Sequence, residues 1–242
     1  MSALGLAWEQ FRFERKLFWR NPSSAFFNFV LPLLLLVLVA SIFSADPEQL
    51  EVIVPGVAGM SVMATTFTAL AFNLTFLREQ GILKRVRGTP IPAGSYLGGL
   101  LGSAVANAFV QVGLVVAIGH FVYGVDLPRE PLALVGVTAL GVACFGAVGV
   151  AFSHAIPNFD SAPAYANAVF LPLILISGVF YSADSLPSAV KTLAEVLPLK
   201  HAVDLLSTTI VTGGPLSAGA VGVLAAWTAG GTYLAVRFFR WS

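Results

Sequence analysis

Phe29-Val30-Leu31-Pro32-Leu33-Leu34-Leu35-Leu36-Val37-Leu38-Val39-Ala40-Ser41-Ile42-Phe43 is the stretch on which the fold turns. Twelve of its residues are Leu, Ile, Val or Phe and none is charged. Those twelve contribute about −4 to −7 kcal/mol on a membrane-insertion scale. That margin absorbs Pro32, because neighbouring helices in a membrane bundle re-satisfy the backbone groups a proline frees. A span over about residues 25–44 follows.

Outward from this stretch the pattern repeats. Hydrophobic residues make up 57% of the 242 and charged residues only 10%, with a mean hydropathy of +0.86. Globular chains carry about 25% charge. Here the charges form islands between apolar stretches near the ~20 residues needed to cross a bilayer. The composition and pattern predict one all-α polytopic membrane domain over 1–242. Its six transmembrane helices are expected at 25–44, 53–77, 95–122, 132–153, 163–181 and 218–238. The fifth is the shortest and carries Pro163 and Pro172, the former suited to a first helical turn. Residues 1–21 hold Glu9, Arg12, Glu14, Arg15, Lys16 and Arg20, so they lack a signal-peptide core, and the first span is expected to act as an uncleaved anchor. Cys144, the single cysteine, excludes an internal disulfide.

Basic residues set the expected orientation. Arg12, Arg15, Lys16 and Arg20 precede the first span, Arg78, Lys84, Arg85 and Arg87 follow the second, and Arg237 and Arg240 end the chain. Ten of the thirteen basic residues thus fall on one side, leaving Arg129, Lys191 and Lys200 on the other. Both termini are expected in the cytoplasm of a cell-membrane protein. Residues 4–20 read as an amphipathic interfacial helix with Leu4, Ala7, Trp8, Phe11, Leu17 and Phe18 toward lipid, or as a simple basic anchor. The outer segment 182–217 is too long for a turn. Its apolar run from Ala202 to Val211 is too short to span, so 187–211 reads as re-entrant or as a surface helix.

Chemistry-bearing motifs are few. His120, His154 and His201 sit at three different membrane ends without metal-ligand spacing, and no metal site is expected. No phosphate-binding loop exists, so no ATP site is expected on this chain. Ionisable groups at mid-span are nearly absent, which disfavours ion-coupled carriers. The net charge of +1 says nothing about nucleic acid or acidic partners, and no nucleic-acid partner is expected. Small residues recur four apart at Gly98, Gly102 and Ala106, at Ala143, Ala147 and Ala151, and at Gly222, Ala226 and Gly230, allowing close helix approach. Ser61, Thr65 and Thr68 share one face of the second span. Asn107 and Gln111 share one face of the third. Such residues either bond between helices or line a pathway, to which Phe72, Phe170 and Ser177 are added as candidates.

The segment Leu77-Arg78-Glu79-Gln80-Gly81-Ile82-Leu83-Lys84-Arg85-Val86-Arg87-Gly88-Thr89-Pro90-Ile91 resembles the first cytoplasmic loop of ABC-2 type permeases, the membrane subunits of bacterial exporters. Asn21-Pro22 before span one is similar to the family's opening. Ser177-Gly178-Val179-Phe180-Tyr181, Leu186-Pro187 and Leu197-Pro198-Leu199-Lys200-His201-Ala202-Val203-Asp204 resemble its outer region. Leu205-Leu206-Ser207 depart from it, since many relatives place an Arg there.

The resemblance implies a transport subunit, not an enzyme. It would work as a homodimer or beside a similar permease, with two copies of a cytoplasmic ABC ATPase that carry the ATP and Mg. It implies a coupling helix at 78–89, with Arg78, Glu79, Gly81, Lys84, Arg85 and Arg87 toward the ATPase. It also implies a connecting helix at 4–20 with Trp8, Phe11, Arg12 and Arg15. The basic residues of the coupling loop can equally do no more than set topology. The expected cargo is an amphiphilic or hydrophobic drug, antibiotic or lipid-like solute, with lipid-linked glycan as the alternative. Less favoured are a membrane enzyme built on His154 and Asp160, and a non-transporting scaffold.

Overall fold

The computed structural model describes residues 3–89, 91–181 and 187–238. It is helical with no strand among them. Helix α1 covers Ala3–Trp19. Helix α2 covers 22–42, with a π-helical turn at Phe26–Val30 before Leu31–Ile42. Helix α3, Pro47–Glu79, is also interrupted by a π turn, at Ala64–Thr68. The short α4 covers Ile82–Arg87, α5 Ala93–Tyr123, α6 Pro131–Phe152 and α7 Ala162–Ile176. Then come α8 at Ser188–Ala194, α9 at Pro198–Ser207 with a π-helical continuation Thr208–Thr212, and α10 at Ala218–Phe238.

Proline and polar caps start these helices. Pro47 and Pro131 take first-turn positions, where a missing N–H costs nothing. Asp46 caps α3 by accepting from the Gln49 N–H at 3.2 Å. Inside α3, the hydroxyls of Thr65 and Thr66 donate to the carbonyls of Ser61 and Val62 at 2.8 and 2.6 Å, which helps satisfy the backbone around the π turn.

Helix α3 is the central post, buried along almost its whole first half. Its Ile53, Val57, Met60 and Phe67 join Val112 and Val115 of α5, Phe145 of α6, Val203 and Leu206 of α9 and Leu224 of α10 in one core. By length and hydropathy α3, α5, α6 and α10 are each sufficient to cross a membrane. The apolar parts of α2 and α7, Asn28–Ile42 and Ala162–Ile176, are shorter. The fifth expected span, 163–181, therefore stops early. Helix α7 ends at Ile176, and Gly178 turns the chain at φ 71°. The flanks carry large exposed apolar side chains, among them Leu38 at 61% and Leu175 at 62% exposure, as surfaces facing lipid do.

The segment after α7 lies beside the bundle helices. Trp227, nine residues or about 13 Å along α10, donates from Nε1 to the Val196 carbonyl at 2.9 Å. At the other end of α9, the Glu130 N–H donates to the Thr209 carbonyl at 3.0 Å, beside the start of α6. Helices α8 and α9 thus dip to mid-height of α10 and climb back, and α9 packs on α3. Residues 182–186, including Leu186 of the expected outer motif, lie outside the described residues, as do Pro90 and Arg240.

The small-residue stripes have different fates. Gly222 and Gly230 of α10 face open space, while Gly98 and Gly102 of α5 face α1. The closest backbone approach falls on Gly56 of α3, where an added Cβ would lie 1.9 Å from the Val179 carbonyl oxygen. Gly56→Ala is therefore expected to destabilise by about 1–3 kcal/mol through overpacking. Gly222→Ala, with open space around it, should be neutral or slightly stabilising. Thermal unfolding of both variants in detergent checks this pair.

Candidate functional site

The α4 end of the bundle gathers most of the residues singled out in the sequence. Helix α3 ends at Glu79, and the chain reverses through Gly81, whose φ of 65° lies in the left-handed region that favours glycine. Helix α4 is then pinned by Leu83, 2% exposed, against Leu74, Leu77, Tyr96 and Leu100. Thr89 Oγ closes the far end onto the Val86 carbonyl at 2.7 Å. Lys84 and Arg85 remain exposed on this braced helix. The side chain of Arg87 lies outside the described ones.

Arg78 and Glu79 do something the sequence did not suggest. Arg78 forks onto two backbone carbonyls, Ser153 at 3.0 Å and Ile156 at 2.5 Å. The Glu79 carboxylate accepts from the Phe159 N–H at 2.5 Å, and Phe76 meets the Phe159 ring edge-on at 5.3 Å. Glu79 was expected to face the ATPase. It instead caps the loop after α6. Together these contacts clasp the 153–159 loop to the end of α3, so Arg78 and Glu79 are spent inside the chain. A guanidinium suits this because its rigid fork reaches two acceptors at once.

Helix α1 also departs from expectation. Ala7, Phe11 and Arg15, a turn apart, meet Gly98, Gly102 and Asn107 in the same order along α5. At Gly99 an added Cβ would lie 2.8 Å from the Phe11 backbone nitrogen. Ala7 and Phe11, expected toward lipid, thus pack on α5, while Leu4, Trp8 and Leu17 stay exposed. Trp8 stacks on Phe11 at 5.1 Å, and Arg12 is exposed, 3.6 Å from Glu9. Arg15, expected on the connecting helix, donates to Asn107 Oδ1 and lies over the rings of Phe18 and Trp19 at 5.9 and 5.7 Å.

A cavity of about 500 Å³ opens between α1, α2, α3 and α5. It brings Thr65 and Phe72 together with Asn73 and Asn107. Ser61, Thr68, Phe170 and Ser177 are not part of its lining. The Ser61, Thr68 and Ser177 hydroxyls are buried without a hydrogen-bond partner, and Phe170 packs against the main core. Gln111 points elsewhere, donating to the Phe29 carbonyl at 3.4 Å. Sequence inspection missed Glu14, Asn28 and Ser103 in the lining. Ser103, four residues before Asn107 and on its face, was the available signal. Burial pushes the Glu14 carboxyl above its ordinary range, partly offset by a hydrogen bond from Gln10. Among the described residues no cluster of His, Cys, Asp and Glu is arranged to hold a metal. His154 directs Nδ1 at its own helix, toward the Val150 carbonyl at 3.1 Å.

The family profile described as ABC-2 type transporter matches residues 6–211. Nodulation protein J of Rhizobium leguminosarum bv. viciae is 26% identical over 164 residues, covering 66% of this chain and 61% of that protein. The Linearmycin resistance permease protein LnrN of Bacillus subtilis is 22% identical over 176 residues, covering 71% and 46%. The Probable multidrug ABC transporter permease YbhS of Escherichia coli K12 is 24% identical over 164 residues, covering 66% and 43%. The match therefore spans about half the length of these relatives.

Two outcomes test the geometry. Arg78→Ala orphans two carbonyls at about 1–3 kcal/mol each, so hydrogen exchange across 153–159 should accelerate. Arg78→Lys, with no fork, should restore only part of the protection. Glu14 holds its proton to higher pH in the folded chain than in the unfolded one. Its contribution is therefore full at low pH and falls as pH rises through its folded value. Glu14→Gln should melt with the parent below the ordinary carboxylate range and above it at neutral pH, as thermal scans across pH would show.

Proposed function

Because the chain belongs to the ABC-2 type transporter family, we propose that it is the membrane subunit of an ATP-driven exporter, with hydrolysis carried out by two copies of a separate ATPase. The observation that carries this reading is α4, a short helix braced by Leu83 and the Gly81 turn, presenting Lys84 and Arg85 outward. A lever must be stiff to transmit motion. The Arg78 and Glu79 clasp joins its base to the loop after α6, so a push on α4 reaches both α3 and α6. ATP and Mg belong to the partner in this reading, and Lys84 and Arg85 meet its surface.

All six apolar helices cross the cell membrane in this proposal, α2 and α7 as short spans, with both termini on the cytoplasmic side beside α4. Helices α8 and α9 are re-entrant from the outer side, which fits their dip to the height of Trp227. The exposed apolar faces of α2 and α7 leave room for a second permease, identical or similar, with the export pathway between the two. The cargo is an amphiphilic or hydrophobic solute. The apolar flanks support this, and the linearmycin-resistance and multidrug names of two relatives point the same way.

Reversing Lys84 and Arg85 together to Glu should abolish co-purification with the ATPase while leaving the permease folded. Glu79→Ala should keep the complex but lower its substrate-stimulated ATPase activity, because only the clasp is loosened. Unchanged assembly and activity in both variants would overturn the coupling assignment.

A further inference from the structure

Glu14 is 9% exposed, lines the ~500 Å³ cavity and receives, among the described residues, a single hydrogen bond, from Gln10 Nε2 at 2.8 Å. Among the described residues no ion pair reaches it. Its neighbour Arg15 binds Asn107 and lies over the rings of Phe18 and Trp19, and it makes no ion pair with Glu14. A buried carboxylate without a counter-charge is costly, because water is removed and nothing replaces it. A chain that merely needed to seal α1 against α5 would place an apolar or amide side chain there.

The rest of the lining indicates what supplies the missing charge. Glu14 is the one formally charged residue among the lining side chains. Phe72 and Phe76 contribute aromatic rings, whose faces attract cations, while the Phe18 ring already lies beside Arg15. Thr65, Asn73 and Ser103 contribute neutral oxygens able to accept from N–H groups. Leu17, Leu70 and Leu100 make the remainder of the wall apolar. The volume is that of a modest small-molecule site, enough for a polar head and part of one chain. An anion would meet repulsion from Glu14, and a neutral solute would leave the carboxylate uncompensated.

We propose that this cavity binds the ammonium end of an amphiphile, with the head on the Glu14 carboxylate and the alkyl chain along Leu17, Phe72 and Phe76. Two sources offer that chemistry: an ethanolamine phospholipid of the surrounding leaflet, or a free alkylamine. Binding at this site requires neither the ATPase nor export, so it stands or falls separately from the function proposed above.

The full chain in dodecyl maltoside micelles is irradiated with a diazirine-bearing dodecylamine, and labelled peptides are mapped by mass spectrometry. Labelling is expected to concentrate on 14–18, 69–76 and 100–107. The diazirine analogue of dodecanol should show no such preference. Glu14→Gln should cut labelling there at least about tenfold, the loss expected for one charge-assisted hydrogen bond. Ser103→Phe, which fills the cavity and keeps the carboxylate, should cut it to the same degree. Excess phosphatidylethanolamine displacing the probe where phosphatidylglycerol does not identifies the leaflet lipid as the source. Displacement by dodecylamine alone identifies a free amine. Labelling unchanged by either variant, matched by the dodecanol analogue, or displaced by neither competitor overturns the site.

Discussion

A helix walled in on nearly every side has no water to turn to, so each backbone group in it must be satisfied from within or by a neighbour. Helix α3 is under that constraint, and the bundle is arranged around it. Pro55 sits inside it and a π turn interrupts it at Ala64–Thr68. The π turn disturbs the regular ladder, and Thr65 and Thr66 answer with hydroxyls donated to carbonyls one turn back. The same enclosure explains Gly56, where only a hydrogen leaves space for the Val179 carbonyl. It explains Gln49 as well, whose amide holds the Phe180 carbonyl at 2.8 Å and anchors the turn after α7 to the start of α3.

From that post, two ends of the molecule are treated differently. At the far end, α9 folds back between α3 and α10, so packing there is apolar and continuous. At the α4 end the contacts are polar and directional: Arg78 on two carbonyls and Glu79 on an N–H. Apolar packing tolerates sliding, whereas a forked guanidinium defines one position for the loop it holds. Exposed Lys84 and Arg85 add little to the stability of an isolated chain, because charges in water interact weakly.

The cavity beside α1 belongs to neither end. It exists because α1 leans along α5 through a glycine shelf, which brings Glu14 inward with Phe18 and leaves Arg15 to cross to Asn107. A basic helix at a membrane face would ordinarily keep its charges outward. Here one acid and one base of the same turn are both drawn in, yet they do not pair with each other.

Residue pattern alone determined the helical class and the apolar segments, because hydropathy acts over a few residues, while the family and the short basic helix after Gly81 were legible only through the resemblance of the loop to known permeases. Gly81 and the Lys84, Arg85 and Arg87 that follow it carried that resemblance, and for 187–211 the pattern allows either a re-entrant or a surface helix. Four of the expected spans have helices of full crossing length, while 25–44 overruns the helix end at Ile42 by two residues and 163–181 overruns the end at Ile176 by five. Phe43 begins a turn and Gly178 stops α7, and a hydropathy window averages such stops away. Tertiary structure decided what each polar side chain faces. Arg78 and Glu79 read as partner-facing until the loop after α6, some 75 residues on, came to rest against them. Thr65 and Phe72 shared a lining with Asn107, but Ser61, Thr68, Phe170 and Ser177 did not. Helical spacing places a side chain on a face, and only packing between distant segments says what lies opposite.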